Sequence, residues 1–255
     1  MECALTIAGS DPSGGAGVQA DLRVFHALGV HGLAVIAALT AQSTATVTDV
    51  YPVPGEQVEG QLRALLGDIR PSALKTGMLY SPEAVDAVAS AVGEYRLDNL
   101  VIDPVAISTS GRRLMDEDAA EVMRKKLLPL ATVVTPNAQE AGWLASMSVV
   151  STPEEMEEAA RRIRNMGPDT VIVTGGDLGE TAIEVLLNDS GISRFEAPRR
   201  PGRYHGTGCA YSACITALLA GGLRPVEAAR RTKELMNDAL RDSFRPGRGM
   251  NIPRF

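Results

Sequence analysis

The sequence predicts an α/β fold: a central, mostly parallel β-sheet flanked by helices, with a small β-hairpin region. Three observations predict it. Short β-rich runs alternate with helical patterns through most of the chain, the rhythm of βαβ units. One later pair of runs is parted only by Asn188, Asp189, Ser190 and Gly191, a spacing that suits an antiparallel hairpin. The 255 residues, 45% hydrophobic and 22% charged, can bury a full core, so residues 1–255 are expected to form a single domain.

Residues 4–8 are the first expected strand and 16–28 the helix after it. Strands 74–76 and 100–102 are each followed by a helix, over 82–95 and 117–128. Val133 and Val134 lead into a helix near 138–146, residues 153–166 read as a helix running from acidic to basic, and 171–173 as a buried strand. Residues 182–187 and 192–197 are the hairpin, and long helices over 209–219 and 225–243 close the fold. The tail, 245–255, rich in Pro, Gly and Arg, is expected to be irregular surface. There is no internal repeat, low-complexity tract or domain-marking linker.

A net charge of −6 argues against a nucleic-acid partner, which needs a basic stripe. No apolar run reaches the roughly 18 to 20 residues that cross a bilayer, and the start MECALTIAGSD lacks a basic n-region. Neither secretion nor membrane insertion is expected. The three cysteines, Cys3, Cys209 and Cys214, are too few for a disulfide framework and have no metal-ligand spacing, so a reducing cytoplasm is the expected location.

The most informative stretch is His205, Gly206, Thr207, Gly208, Cys209, running into the apolar residues 210–219. It puts small residues and a thiol at a helix start, where unpaired N–H groups and the positive dipole end suit an anion. Such a helix start, or proximity to cations, also lowers a thiol's pKa, so Cys209 is expected to hold partial negative charge near neutrality. Gly-rich turns and buried cysteines also occur for structural reasons alone. His205 reads as a packed or capping residue, Cys3 and Cys214 as packing residues, and Trp143 as a core anchor.

Four further polar or Gly-rich segments follow expected strands: 9–17, 75–78, 103–111 and 135–140. Ligands of open α/β sheets collect beyond the carboxyl ends of the strands, so all five segments are expected on one rim. Segment 9–17 is neither a dinucleotide GxGxxG nor a phosphate loop ending in GK[ST]. Its glycines allow close approach to a small ligand, with Asp21 placed to accept a hydrogen bond, while Asp11 or Ser13 would serve equally as a helix cap. Asn137 and Glu140 have capping-box spacing, and a carboxylate and an amide one turn apart can also organise water around Mg²⁺. Asp103 ends an apolar strand, where a carboxylate needs a partner, solvent, metal or phosphate. Met78 can pack on a flat ring or in the core. Gln42 offers a donor and an acceptor to an amino-bearing heteroaromatic edge. Arg199, Arg200 and Arg203 can grip phosphate or form a solvated loop.

Together ALTIAGSDPSGGAGVQADL, LTAQST, KTGML, the Asp103, Pro104, Val105 triplet, TPNAQEA and HGTGCAYSA resemble the hydroxymethylpyrimidine and phosphomethylpyrimidine kinases of thiamine biosynthesis, of the ribokinase-like superfamily. The resemblance runs in order from about Ala4 to the helix bearing Lys233. It implies a ribokinase-like sheet, a homodimer, and transfer of the ATP γ-phosphoryl to a hydroxymethyl or phosphomonoester group of a small pyrimidine. It also implies Asp21, Gln42, Met78 and Val105 around the pyrimidine, and Gly206, Thr207, Gly208 and Cys209 as an anion hole. Asn137 and Glu140, with Asp103, would lie on the Mg²⁺ side, and Lys233, Thr174 and Arg203 on the nucleotide side.

Three segments depart from that family. Ser108, Thr109, Ser110, Gly111 replace its AKSG; Thr174, Gly175, Gly176, Asp177 replace KGGH; and residues 199–204 replace a basic TKNT stretch. Each lost lysine removes a cation from phosphate, which one of the arginines can restore in part. Weaker nucleotide or phosphomonoester binding, and competence for only one of the two phosphorylations, are the expected consequences. Two other readings stay open: a pyridoxal kinase of the same fold, and a binding protein that has the pocket without the catalysis.

Overall fold

The computed structural model of the chain describes residues 1–106, 114–176, 178–179 and 181–255. Nine strands form one sheet: β1 (Cys3–Ser10), β2 (His31–Gln42), β3 (Val47–Pro52), β4 (Ala73–Thr76), β5 (Leu100–Ile102), β6 (Val133–Val134), β7 (Thr170–Gly175), β8 (Thr181–Asn188) and β9 (Gly191–Pro198). Their spatial order is β3-β2-β1-β4-β5-β6-β7-β8-β9. From β2 to β7 all neighbours are parallel; β3 pairs antiparallel at one edge, and β7, β8 and β9 pair antiparallel at the other. The expected mostly parallel sheet and the hairpin are both present.

Both faces of the central strands are covered, so they read as apolar runs without alternation. Leu5, Ile7, Leu74, Leu100, Ile102, Val134, Val171 and Val173 point to one core. That core also contains the buried faces of α2 (Gly55–Leu66), α3 (Pro82–Glu94), α5 (Ala138–Leu144) and α6 (Pro153–Arg164). Ala4, Ala73, Val101, Val133 and Ile172 point to a second core beneath α1 (Gly17–Ala27), α7 (Thr207–Ala220) and α8 (Pro225–Arg241). The period of two therefore sends Thr6, Lys75 and Asp103 toward α1 and α7 as well. Helix α7 is apolar on all sides and buried along most of its length, as such a helix must be.

Local signals set the helix starts. Ser81 accepts from the Ala84 N–H with Pro82 in the first turn of α3, and Thr152 and Glu155 form a reciprocal cap on α6. Helix α6 carries Glu154 and Glu155 in its first turn and Arg161, Arg162 and Arg164 in its last, complementing its dipole. Helix α4 (Glu117–Val122) is shorter than expected. The chain passes through a widened turn, Met123–Leu127, into a tight one, Leu128–Leu130, where Pro129 has no N–H to continue the helix.

Patterning assigned no element to the stretch holding β2, β3 and α2. Strand β2, HGLAVIAALTAQ, is rich in Ala, which fits a helix as well as a strand, and only pairing with β1 and β3 decides. The tail corrects a second expectation. Met250 and Ile252 are buried, Asn251 bridges to Tyr204, and Ile252 to Phe244, so the end of the chain is bound beside the site. Backbone hydrogen bonds, which composition does not reveal, hold it there.

Candidate active site

Parallel order puts the carboxyl ends of β1, β2, β4, β5, β6 and β7 on one rim, and a cavity of about 1310 Å³ opens there. Described residues of all five segments picked out in the sequence line it. Every expected site residue does so except Asp21. Residues 107–113 and Asp177 lie outside the described residues, which removes Ser108, Thr109, Ser110 and Gly111 from structural account.

Two glycine-rich loops meet at the centre. In the first, Asp11 is buried and acts as an internal cap: its carboxylate accepts from the N–H groups of Ser13, Gly15 and Ala16 and from the Ser13 hydroxyl. These hydrogen bonds and that from His205 outweigh burial and hold its pKa below the usual carboxylate range. In the second, Gly206 starts α7 at φ 76° with no side-chain cap. A Cβ on Gly206 would overlap the Gly15 carbonyl, and one on Gly15 would overlap the His205 ring. The loops interlock only because both residues are glycine. Thr207, Gly208 and Cys209 line the cavity, so the N–H groups of an uncapped first turn border it.

Beneath that turn lies a cluster of buried charge. The fully buried Lys75 pairs with Asp21 at 2.9 Å, and the same Asp21 oxygen accepts from the Thr6 hydroxyl at 2.6 Å. Asp21 therefore does not line the cavity: it is fully buried on the sheet-facing side of α1, with Oδ2 taken by protein donors and Oδ1 without a partner among the described residues. Asp103 accepts from Ser212 Oγ at 3.0 Å, and burial pushes its carboxyl up to about 6 against the pull of Lys75. The half-buried Cys209 thiol is pushed up to about 12 by burial and by Asp103, although Lys75 and an N–H from Gly17 oppose this. The expectation of partial negative charge on the sulfur is overturned, because burial, reinforced by Asp103, outweighs the helix start and Lys75.

On the β5–β6 side, Asn137 and Glu140 form a reciprocal cap on α5, Oδ1 accepting from the Glu140 N–H and Oε2 from the Asn137 N–H. Glu140 Oε1 also accepts weakly from the Ala106 N–H at 3.4 Å. Burial and then Asp103 push the Glu140 carboxyl up to about 8. Two buried carboxyls, both raised by burial and Glu140 further by Asp103, border the cavity, a donor set that a divalent oxygen-seeking cation would relieve. Asn137 fits less well as a direct ligand, since its oxygen already serves the helix.

The apolar wall is small: Met78 with Ala38 and Leu114, and Val105 packed against them. At the opposite end Lys233 lines the cavity with its charge compensated, pairing with Glu184 at 2.6 Å and donating to the Ala182 carbonyl at 2.7 Å. Thr174 is half-buried at the end of β7, and Arg203 is exposed at the rim. Trp143, expected in the core, is half-buried at the rim beneath the Arg124 guanidinium, 4.6 Å from its ring centre. Cys214 is fully buried as expected, while Cys3 is half-buried.

Lys75, Asp11 and His205 are the residues whose place in the site sequence patterning missed. His205 Nε2 lies 2.8 Å from Asp11 and 2.9 Å from the Gln42 amide. Its partners are 194 and 163 residues away along the chain, and local patterning carries no signal for such pairs.

Known proteins are similar to this chain in sequence and in fold. The chain is 41% identical over 247 residues to the thiamine biosynthesis bifunctional protein of Geobacter sulfurreducens, covering 96% of this chain and 50% of that one. It thus spans about half the length of the bifunctional relatives it matches. It is 39% identical over 251 residues to the hydroxymethylpyrimidine/phosphomethylpyrimidine kinase of Escherichia coli, covering 97% of this chain and 94% of that one. An ADP complex of Bacillus subtilis pyridoxal kinase superposes with a TM-score of 0.92 at 35% identity, over 100% of this chain and 97% of that one. A match to phosphomethylpyrimidine kinase over residues 11–254 begins at the Asp11 cap and runs into the tail that holds His205. With the fold, both glycine-rich loops and nearly the whole chain inside that match, the protein belongs to the phosphomethylpyrimidine kinase family.

Proposed function

We propose that the chain is an ATP-dependent phosphotransferase acting on 4-amino-5-hydroxymethyl-2-methylpyrimidine, its monophosphate, or both, in thiamine biosynthesis. The observation that carries this reading is the uncapped start of α7, bordering a cavity with an apolar wall and two buried carboxyls held above their usual range. Gln42, Met78 and Val105 would bound the pyrimidine, with Met78 and Val105 giving it an apolar wall. The N–H groups of Gly206, Thr207, Gly208 and Cys209 would stabilise charge on the transferred phosphoryl, the dominant need of a loose transition state. A thiol held near 12 is neutral at pH 7 and cannot accept a proton, so Cys209 would orient the acceptor hydroxyl, whose proton would pass late to an oxygen of the transferred phosphoryl group.

Glu140 and Asp103 would hold Mg²⁺, with Asn137 fixing Glu140 through the cap. When bound, the ion neutralises phosphate charge. Lys233, Thr174 and Arg203 would lie on the nucleotide side, Arg203 being the one of the three with an exposed side chain. A homodimer in the cytoplasm completes the reading, and sedimentation would measure the subunit count.

The close superposition on a pyridoxal kinase favours one competing substrate, since pyridoxal is also a heteroaromatic ring with a hydroxymethyl group. An ADP-release assay with the pyrimidine alcohol, its phosphate and pyridoxal separates these cases. Turnover of the pyrimidines at least tenfold above pyridoxal is expected. Preference for pyridoxal would overturn the proposal. The lost family lysines lead to unequal efficiency on the two pyrimidines, and equal efficiency would remove that expectation.

A further inference from the structure

We infer that His205 fixes the polarity of the Gln42 amide, so that the cavity offers an N–H donor to the ring and selects a ring-nitrogen lone pair. The inference deepens the proposed function and rests on the pyrimidine lying against Gln42.

Hydrogen-bond accounting carries it. One atom, His205 Nε2, approaches both Asp11 Oδ2 at 2.8 Å and the Gln42 amide at 2.9 Å. Asp11 is a carboxylate with a lowered pKa, so a lone pair on Nε2 would face negative oxygen, and Nε2 must carry the proton. The other tautomer is doubly unfavourable, because Nδ1 is buried with no partner among the described residues and an N–H there would be orphaned. A protonated Nε2 can meet only an acceptor on its second neighbour. As placed, Gln42 Nε2 faces His205 and Oε1 faces Thr40; the proton count requires the two ends exchanged, with oxygen toward His205, since amide orientation is assigned from the hydrogen-bond network.

Thr40 reaches the same result independently. Its hydroxyl lies 2.9 Å from the Ser10 carbonyl and 3.2 Å from the other end of the Gln42 amide. The single hydroxyl proton belongs to the carbonyl, which cannot donate. What Thr40 receives from Gln42 must then be an N–H. One N–H of the amide goes to Thr40, and the second is left for a ligand in the cavity that Gln42 lines.

The device is held rigidly. The His205 ring lies against Gly15 with no room for a Cβ, and the His205 N–H donates to the Asn251 carbonyl of the tail at 2.8 Å. His205 acts on the ligand through Gln42 and is a positioning residue.

The test compares the aminopyrimidine alcohol with an isostere in which the ring nitrogen beside the amino-bearing carbon is replaced by C–H. The wild-type protein should prefer the nitrogen ring by about tenfold in binding and in kcat/KM. In His205→Phe the amide is free to rotate and the preference should fall to about twofold. His205→Gln keeps a donor beside Asp11 and should restore most of it. Loss of structure alone would lower both affinities without changing their ratio. In the wild-type protein, ¹⁵N spectra of labelled histidine should show Nε2 protonated and Nδ1 bare. A preference unchanged in His205→Phe, or an Nδ1–H tautomer, overturns the inference. Calorimetry without ATP measures the same preference, so absent turnover with the preference intact counts against the kinase reading alone.

Discussion

The two glycine-rich loops look alike in sequence and behave oppositely. Residues 9–17 and 205–209 each lead into a helix and each lines the cavity. The first spends its donors internally: Asp11 takes the N–H groups of Ser13, Gly15 and Ala16, and Gln19 takes that of Asp11. Neither α1 nor α7 has a side-chain cap on its first residue, but among the described residues no side chain takes an N–H of the second loop either. Glycine content therefore does not make an anion site; unspent N–H groups do, and one buried aspartate separates the two cases. The capped loop is scaffold, and the bare one is where phosphoryl charge would be met.

The sharpest way to break this contrast is at Cys209. Cys209→Ala should lower kcat by about 10³-fold, or about 4 kcal/mol, with Tm unchanged. Cys209→Ser should stay within about tenfold of wild type, because an orienting hydroxyl can stand in for a neutral thiol. A serine variant as inactive as the alanine one would show that a thiolate acts. The interlock gives the next effect. Gly206→Ala should cost about 3 kcal/mol in denaturant unfolding, since it combines a left-handed backbone with overlap of the Gly15 carbonyl.

Asp11→Asn tests the capped loop itself. It should cost about 2 kcal/mol of stability by placing an amide N–H₂ where donors now converge on an anion. Equal stability would mean that the first loop is not held by its aspartate.

The last test is a pH dependence on the metal side. Asp103 and Glu140 have folded values near 6 and 8, above their ordinary 3.8 and 4.5, so the folded chain binds extra protons. Their contribution is favourable at low pH and is lost as pH rises from about 4 to about 8. Tm without metal should therefore fall by about 10 °C between pH 5 and pH 8. Glu140→Gln should flatten that fall, and Mg²⁺ should oppose it most at the higher pH. A flat wild-type profile would remove the carboxyl pair as the metal side.

Much of the architecture was legible because it is local. The βαβ rhythm, the hairpin between residues 181 and 198, and the capping box of Asn137 and Glu140 are set by residues within a few positions of one another. The rim followed from the rule that parallel strands end together, which is why the described parts of all five segments line one cavity. Strand β2 was not legible, since its alanine-rich run suits two conformations until neighbours pair with it. Asp21 was misread for a related reason. Its chemistry suits a ligand, but the register of β1 and β4 points Thr6 and Lys75 at it.

What the sequence by itself determined is the order of elements, the family, and the small residues that let two loops approach, because these depend on local spacing and on side-chain size. The tertiary structure alone decided which donors remained unspent, which carboxyls burial raises, and that His205 meets both Asp11 and Gln42. Burial and charge act through space, and the groups that set those outcomes lie as many as 194 residues apart along the chain.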